Sequence, residues 1–166
     1  PAHKRASVVG RVFQDPFQGT VGDMTLQDNL AMAACRGRGF GLGWALPRAL
    51  REEMRERLAA LGIGLEDRLN QPVSALSGGQ RQVLTMLMAT WRKPRMLLLD
   101  EHTAALDPRS ADHVLNLTGH IVADRSPTVL MVTHSMHHAV QFGHRLIMMH
   151  RGRIVYDIRD GEKRRA

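Results

Sequence analysis

A single cysteine, Cys35, excludes any disulfide within the chain and any metal cage built from cysteines. It reads as a small residue on a helix. Aromatic residues make up only 4% of the chain. None interleaves with the basic residues as a stacking platform for single-stranded nucleic acid would require. The net charge of +7, with a basic tail at Glu162-Lys163-Arg164-Arg165, therefore reads as a solvated surface, and no nucleic-acid partner is expected. Long hydrophobic runs are missing too. The chain is 43% apolar, but its apolar stretches, such as Thr128 to Val132, are strand-length. A bilayer-crossing helix needs about 20 residues. No basic segment followed by an apolar core opens the chain, so no secretory leader is read there. There is also no initiator methionine. Pro1-Ala2-His3-Lys4-Arg5 leads straight into a strand-like segment, and the chain is expected to continue upstream of Pro1.

The 166 residues suit one domain with a sizeable core. Val8 to Phe13 is short and rich in β-branched residues, which predicts a strand. Gln14-Asp15-Pro16 ends it, because proline cannot donate to a ladder. From Thr25 the pattern turns helical. Thr25 can cap a helix carrying Leu26, Leu30, Met32 and Ala33. A loop comes next, with glycines at 37, 39, 41 and 43. Pro47 starts a second helix with Leu50, Met54, Leu58 and Leu61 on one face and Gly62 at its end. Its charged residues between Arg51 and Arg57 read as a solvated face. A third helix runs from Ser77 to about Thr90. Asp107-Pro108 reads as a cap and first helical residue. Ala111, Val114, Leu115, Thr118 and Ile121 form that helix's buried stripe. Thr128 to Thr133 is expected to be a buried strand. Arg145 to Met149 and Arg153 to Ile158 are expected to form a hairpin across Arg151-Gly152. Strands alternating with helices predict an α/β sheet.

Two motifs carry chemistry. Leu76-Ser77-Gly78-Gly79-Gln80 is a glycine turn opening onto a helix, where free N–H groups and the positive end of the dipole suit a phosphate. Met96-Leu97-Leu98-Leu99-Asp100-Glu101 is an apolar strand ending in two carboxylates. Magnesium takes hard oxygen ligands and keeps several waters, so Asp100 alone can hold it. Glu101 leaves the strand in a different direction and can deprotonate an attacking water. A bare Asp-Glu pair ends many polar strands; the apolar run before it and the glycine turn upstream give it meaning. In this order and spacing the chain resembles the ATP-binding cassette family, whose signature peptide reads LSGGQ and whose Walker B strand reads four apolar residues, Asp, Glu.

The resemblance implies a P-loop NTPase (ABC ATPase) α/β core with an inserted helical subdomain. Residues 1–20 and 91–166 would belong to the core and residues 21–90 to the subdomain, within one partial domain spanning 1–166. It implies ATP and Mg2+ as ligands. Gln14 matches the family's Q-loop glutamine, which contacts magnesium and the attacking water. His134 matches the switch histidine that contacts the γ-phosphate; His137, His138, His144 and His150 lack a carboxylate or cysteine partner at ligand spacing. Ser77, Gly78, Gly79 and Gln80 would bind the γ-phosphate of ATP held by a second cassette in a head-to-tail dimer. Ala104-Ala105-Leu106-Asp107 resembles the D-loop that crosses that dimer interface.

The wider system would include a transmembrane permease, docked near Asp15 to Asn29, and a periplasmic or surface solute-binding protein. The cassette would sit peripherally on the cytoplasmic face of the membrane. Phe13-Gln14-Asp15-Pro16, Leu65-Glu66-Asp67-Arg68-Leu69 and Met131-Val132-Thr133-His134 further resemble a bacterial subgroup associated with tryptophan/tyrosine-type uptake. Two departures stand out. His102 replaces the proline common after the two acids, which frees the backbone there. No G-x-x-x-x-G-K-[ST] occurs. That phosphate loop would precede residue 1, and the chain alone is expected to be inactive. The rival readings are a soluble cassette ATPase of DNA repair or chromosome maintenance, disfavoured by the absence of zinc modules and heptad repeats, and a degenerate, non-catalytic cassette.

Overall fold

The computed structural model describes residues 5–37 and 46–159. Glycines 39, 41 and 43 of the expected loop and the basic tail lie outside them. The chain divides into two compact units, residues 1–130 and 131–166, with the division falling inside a strand.

In the first unit, β1 (Val9–Val12) and β2 (Met96–Asp100) pair in parallel, from Val9 opposite Met96 to Val12 opposite Leu99. Val12, Leu97 and Leu99 are buried. A parallel pair needs a long crossover, and here the crossover contains three α-helices among the described residues. α1 (Leu26–Cys35) begins at a capping box in which Thr25 accepts from the Asp28 N–H and Asp28 accepts from the Thr25 N–H. α2 (Arg48–Ala59) comes after Pro47, which sits at the cap rather than at the first helical position, and Gly62 with φ 64° marks the reversal beyond it. α3 (Gly78–Thr90) returns the chain to the sheet. Leu26, Leu30, Met54, Leu58, Leu65, Val73 and Leu84 are fully buried in the core that these helices share. At mid-helix α3 is buried on nearly every side, because the helices pack on one flank and β1 on the other. Gly10 permits that second contact: a Cβ there would stand 2.6 Å from the Ala89 carbonyl oxygen.

The charged face expected on α2 is only partly solvated. Arg51 donates to Gln27 Oε1 at 2.7 Å. Arg57 lies 4.1 Å over the Trp91 ring and donates to the Trp91 carbonyl. A long aliphatic stem lets an arginine cover apolar surface while its head finds acceptors, so charge pattern alone misassigned these two.

One buried polar residue holds the loop before α1. Asn29 is completely buried. Its Oδ1 accepts from the Val21 N–H at 2.8 Å, and its Nδ2 donates to the carbonyls of Val21 and Thr25, both at 3.0 Å. Asn29→Leu keeps the branched shape but leaves the Val21 N–H without its acceptor, while the Val21 carbonyl still accepts from the Met24 N–H. The expected loss is about 1–3 kcal/mol of stability, from one donor left unsatisfied; urea unfolding of the full-length protein checks it, and a midpoint unchanged from the parent would refute it.

α4 (Pro108–Arg125) starts where Asp107-Pro108 predicts. Ala111, Val114, Leu115 and Thr118 are buried, while Ile121 is only half-buried. β3 (Thr128–Val132) lies next to β2, giving the strand order β1-β2-β3, and the Thr128 N–H donates to the Arg95 carbonyl. The expectation of a buried β3 fails: Leu130 is 51% and Val132 50% exposed. Edge position is not the reason, since β1 is an edge strand as well and α3 packs on it. An apolar run reports a strand's composition, not which of its faces is covered.

The second unit holds α5 (Met136–Gln141), capped by Ser135, and an antiparallel hairpin of β4 (Arg145–His150) and β5 (Arg153–Arg159). Its turn, Arg151-Gly152, has both residues at positive φ, 46° and 76°, as a two-residue turn matched to the strand twist requires. Arg145 and Asp157 form a bidentate pair at 2.7 and 2.6 Å across it. Hydrogen bonding to Arg145 holds the Asp157 carboxyl below its usual range.

Candidate functional site

Because β1 and β2 run in parallel and in register, the residues just past each strand leave the sheet from the same edge. Gln14 lies just past β1 and is exposed; Asp100 is the last residue of β2 and Glu101 comes next, both half-buried. Carboxylates at the carboxyl ends of parallel strands stand where open α/β sheets bind ligands. Asp100 Oδ2 accepts from Arg11 Nη2 at 3.1 Å, with both side chains about half-exposed. Arg11 also lies 4.5 Å over the Phe13 ring. Sequence reading missed Arg11, whose significance depends on a register set by another strand.

Glu101 has φ 43°. For a residue with a Cβ and a long side chain this left-handed backbone is strained, by on the order of 1–3 kcal/mol. The positive φ ends the extended backbone at Glu101, so the two adjacent acids do not sit on one continuous strand. Such strain persists only when the surroundings hold it. His102 is among them: it is only 2% exposed, and its Nε2 lies 3.4 Å from Thr118 Oγ1 on α4. The Thr118 hydroxyl hydrogen is committed to the Val114 carbonyl at 2.7 Å, so Nε2–H of His102 is the donor. His102 does more than free the backbone. It anchors the segment after the two acids to α4.

The glycine turn is built as its pattern predicts. Ser77 caps α3, accepting from the Gln80 N–H, and Gln80 Oε1 accepts from the Ser77 N–H in return. The Ser77 hydroxyl is thus engaged with its own helix. Gly78 and Gly79 are helical, and neither has positive φ. Beyond the turn, Arg81 is buried. It donates to the carbonyls of Val73 and Ser74 and lies 3.8 Å over the Phe17 ring. Gln82, completely buried, reaches the Phe13 carbonyl at 3.4 Å. Arg81 and Gln82 thus tie the signature helix to the segment around Gln14.

The same turn lies against the loop before α4. A Cβ on Gly78 would stand 3.6 Å from Leu106 Cδ2, and one on Gly79 would stand 3.0 Å from Ser110 Oγ. Asp107 caps α4 through the Ser110 N–H at 3.1 Å. Hydrogen bonds from Ser110, hydroxyl and then backbone, hold the Asp107 carboxyl below its usual range. A depressed carboxyl contributes its cap above the ordinary carboxylate range and loses it only as pH falls through the lower, folded value. At neutral pH Asp107 is therefore ionised and the cap intact. A groove of about 250 Å³ beside the turn is lined by Ser77, Gly79, Gln80, Arg109, Ser110 and His113, among others.

The geometry thus gathers Gln14, Asp100 and Glu101 at one strand edge, and Ser77–Gln80 and Asp107 around the start of α3 and α4. His134 belongs to the second unit, exposed just after β3. No helix among the described residues is long and apolar enough to cross a membrane.

Comparison with known proteins gives the family and the fold. Residues 2–104 match the family described as ABC transporter. The chain is 45% identical over 161 residues to the tyrosine transport ATP-binding protein of Clostridioides difficile, covering 97% of this chain and 64% of that protein. It is 35% identical over 159 residues to the lipoprotein-releasing system ATP-binding protein LolD 1 of Caulobacter vibrioides, covering 96% and 64%. The chain therefore spans just under two thirds of these relatives. Among solved structures, the ATP-binding cassette MJ0796, a dimer bound to ADP and phosphate after hydrolysis, superposes with a TM-score of 0.75 at 25% identity, over 95% of this chain and 65% of that one. CbiO1 of Clostridium perfringens, part of the transporter complex CbiONQ, superposes with a TM-score of 0.70 at 24% identity, over 91% and 57%, a likeness of fold.

Proposed function

The chain belongs to the ABC transporter ATP-binding family, and from that premise we propose that it is the larger part of an ATP-hydrolysing subunit that energises a membrane permease. The observation that carries the reading is the convergence of Gln14, Asp100 and Glu101 on one edge of a parallel strand pair, with Glu101 at a positive φ. Asp100 is a hard, half-exposed carboxylate at a strand end, which fits a magnesium ion that keeps most of its waters. When bound, magnesium would neutralise charge on the transferred phosphoryl group.

In this reading Glu101 accepts the proton of the attacking water. Gln14 orients that water from the neighbouring strand. His134 contacts the γ-phosphate. Ser77, Gly78, Gly79 and Gln80 serve the nucleotide held by a second cassette packed head-to-tail, and Asp107 stands in the loop between the two sites. The permease would dock near Asp15 to Asn29, with the cassette peripheral on the cytoplasmic face of the membrane and a solute-binding protein completing the system. The solute class is an amino acid, supported by the 45% identity to a tyrosine transport protein. Residues 1–20 and 91–166 would form the catalytic core and residues 21–90 the helical subdomain.

The test is turnover. The full-length protein should hydrolyse ATP with magnesium and stop when the metal is chelated. The 166-residue chain alone should show none above background, because it holds no G-x-x-x-x-G-K-[ST] to grip the β- and γ-phosphates. Magnesium-dependent turnover by the chain alone would mean that another element supplies phosphate binding.

A further inference from the structure

The two glycines of the signature turn differ in what surrounds them. Gly78 has room: a Cβ there would meet Leu106 at an ordinary contact distance of 3.6 Å. Gly79 has none. A Cβ there would stand 3.0 Å from Ser110 Oγ and 3.1 Å from Ser110 Cβ. Both glycines are helical at negative φ, so backbone conformation does not demand either. Within the first turn of a helix, glycine is less favourable than alanine by roughly 1 kcal/mol or less. Something must therefore favour the missing side chain at 79, and the atom nearest to it belongs to Ser110.

Ser110 is half-buried and held from the other side as well. Its N–H and its hydroxyl both bond the Asp107 carboxylate. One short side chain thus stands where a side chain at 79 would go and is held by the acid that begins α4. We propose that Ser110 is a positioning residue that seats the start of α3 against the start of α4, and that position 79 carries no side chain so that this seating is kept. The fit works only without a Cβ at 79: a methyl there pushes the two helix starts apart by a few tenths of an ångström, because packed elements shift rather than compress. The proposal rests on the functional reading above only for its consequence. A side chain at 79 would disturb the signature turn and the start of α4 together, within a single chain.

A double-mutant cycle tests it. Gly79→Ala, Ser110→Gly and the pair together are made in the full-length protein. For each, kcat and KM for ATP are measured with magnesium, together with the melting temperature. Gly79→Ala is expected to lower kcat about tenfold or more, with KM within about threefold of the parent. The pair should recover to within about threefold of Ser110→Gly alone, since removing Cβ and Oγ at 110 vacates the space the new methyl needs. Parent-like turnover by Gly79→Ala would overturn the proposal. So would a double variant as slow as Gly79→Ala, which would place the obstruction outside the chain, on a partner's phosphate. If the parent itself hydrolyses no ATP, the functional reading falls, and melting decides the contact separately. A double variant more stable than the two single losses predict supports the seating of Gly79 on Ser110. Additive losses refute it.

Discussion

Glu101→Gln in the full-length protein should cut ATP hydrolysis by roughly 10²- to 10⁴-fold, the usual worth of a positioned general base. ATP binding should persist. The substitution removes a charge and keeps the shape, so the nucleotide-bound dimer should accumulate rather than dissolve, visible as a shift in size-exclusion chromatography with ATP and magnesium. The backbone adds a control. Glu101 sits at φ 43°, where glycine is unstrained and a long side chain is not. Glu101→Gly should therefore lose hydrolysis as Gln does, yet gain stability, by about 1 kcal/mol if the strain is relieved without other change. A fold that holds a costly backbone angle at a carboxylate is one in which the position of that acid matters more than the stability lost. Parent-like turnover by Glu101→Gln would remove Glu101 as the base.

Gly79→Asp should be more damaging than Gly79→Ala and damaging in a different way. The Cβ meets Ser110 as any side chain would. The carboxylate adds a negative charge where the reading places the partner's γ-phosphate, and the repulsion reinforces the steric effect. The variant should fold and bind ATP as a monomer, but neither dimerise nor hydrolyse. Circular dichroism, nucleotide binding and turnover separate these outcomes. A folded variant that dimerises and hydrolyses normally would take the signature turn out of the mechanism, and the two-cassette arrangement with it. Because the site is written across two copies, nucleotide affinity of the monomer is the measurement that distinguishes this from a simple loss of fold.

Helix starts were legible in the sequence because their signals are local. Thr25 with Asp28, Ser77 with Gln80, and Asp107 with Pro108 each complete a cap within four residues, and no distant contact is needed to interpret them. The two carboxylates after an apolar run and the glycine turn upstream were legible for the same reason, and the family followed from their order. The hairpin turn at Arg151-Gly152 needed nothing beyond its two residues. What only the tertiary structure decided involves pairs far apart along the chain. Arg11 meets Asp100 because two strands share a register. His102 is buried because α4 passes over it. Ser110 gains its importance from a glycine on another helix. Leu130 and Val132 are exposed although the run that carries them is as apolar as a buried strand's. Hydrogen-bond geometry within a turn depends on a few consecutive dihedrals and so is encoded by neighbouring residues. Burial, charge pairing and close approach depend on which surfaces the whole chain brings together, and a single residue type is compatible with several such surroundings.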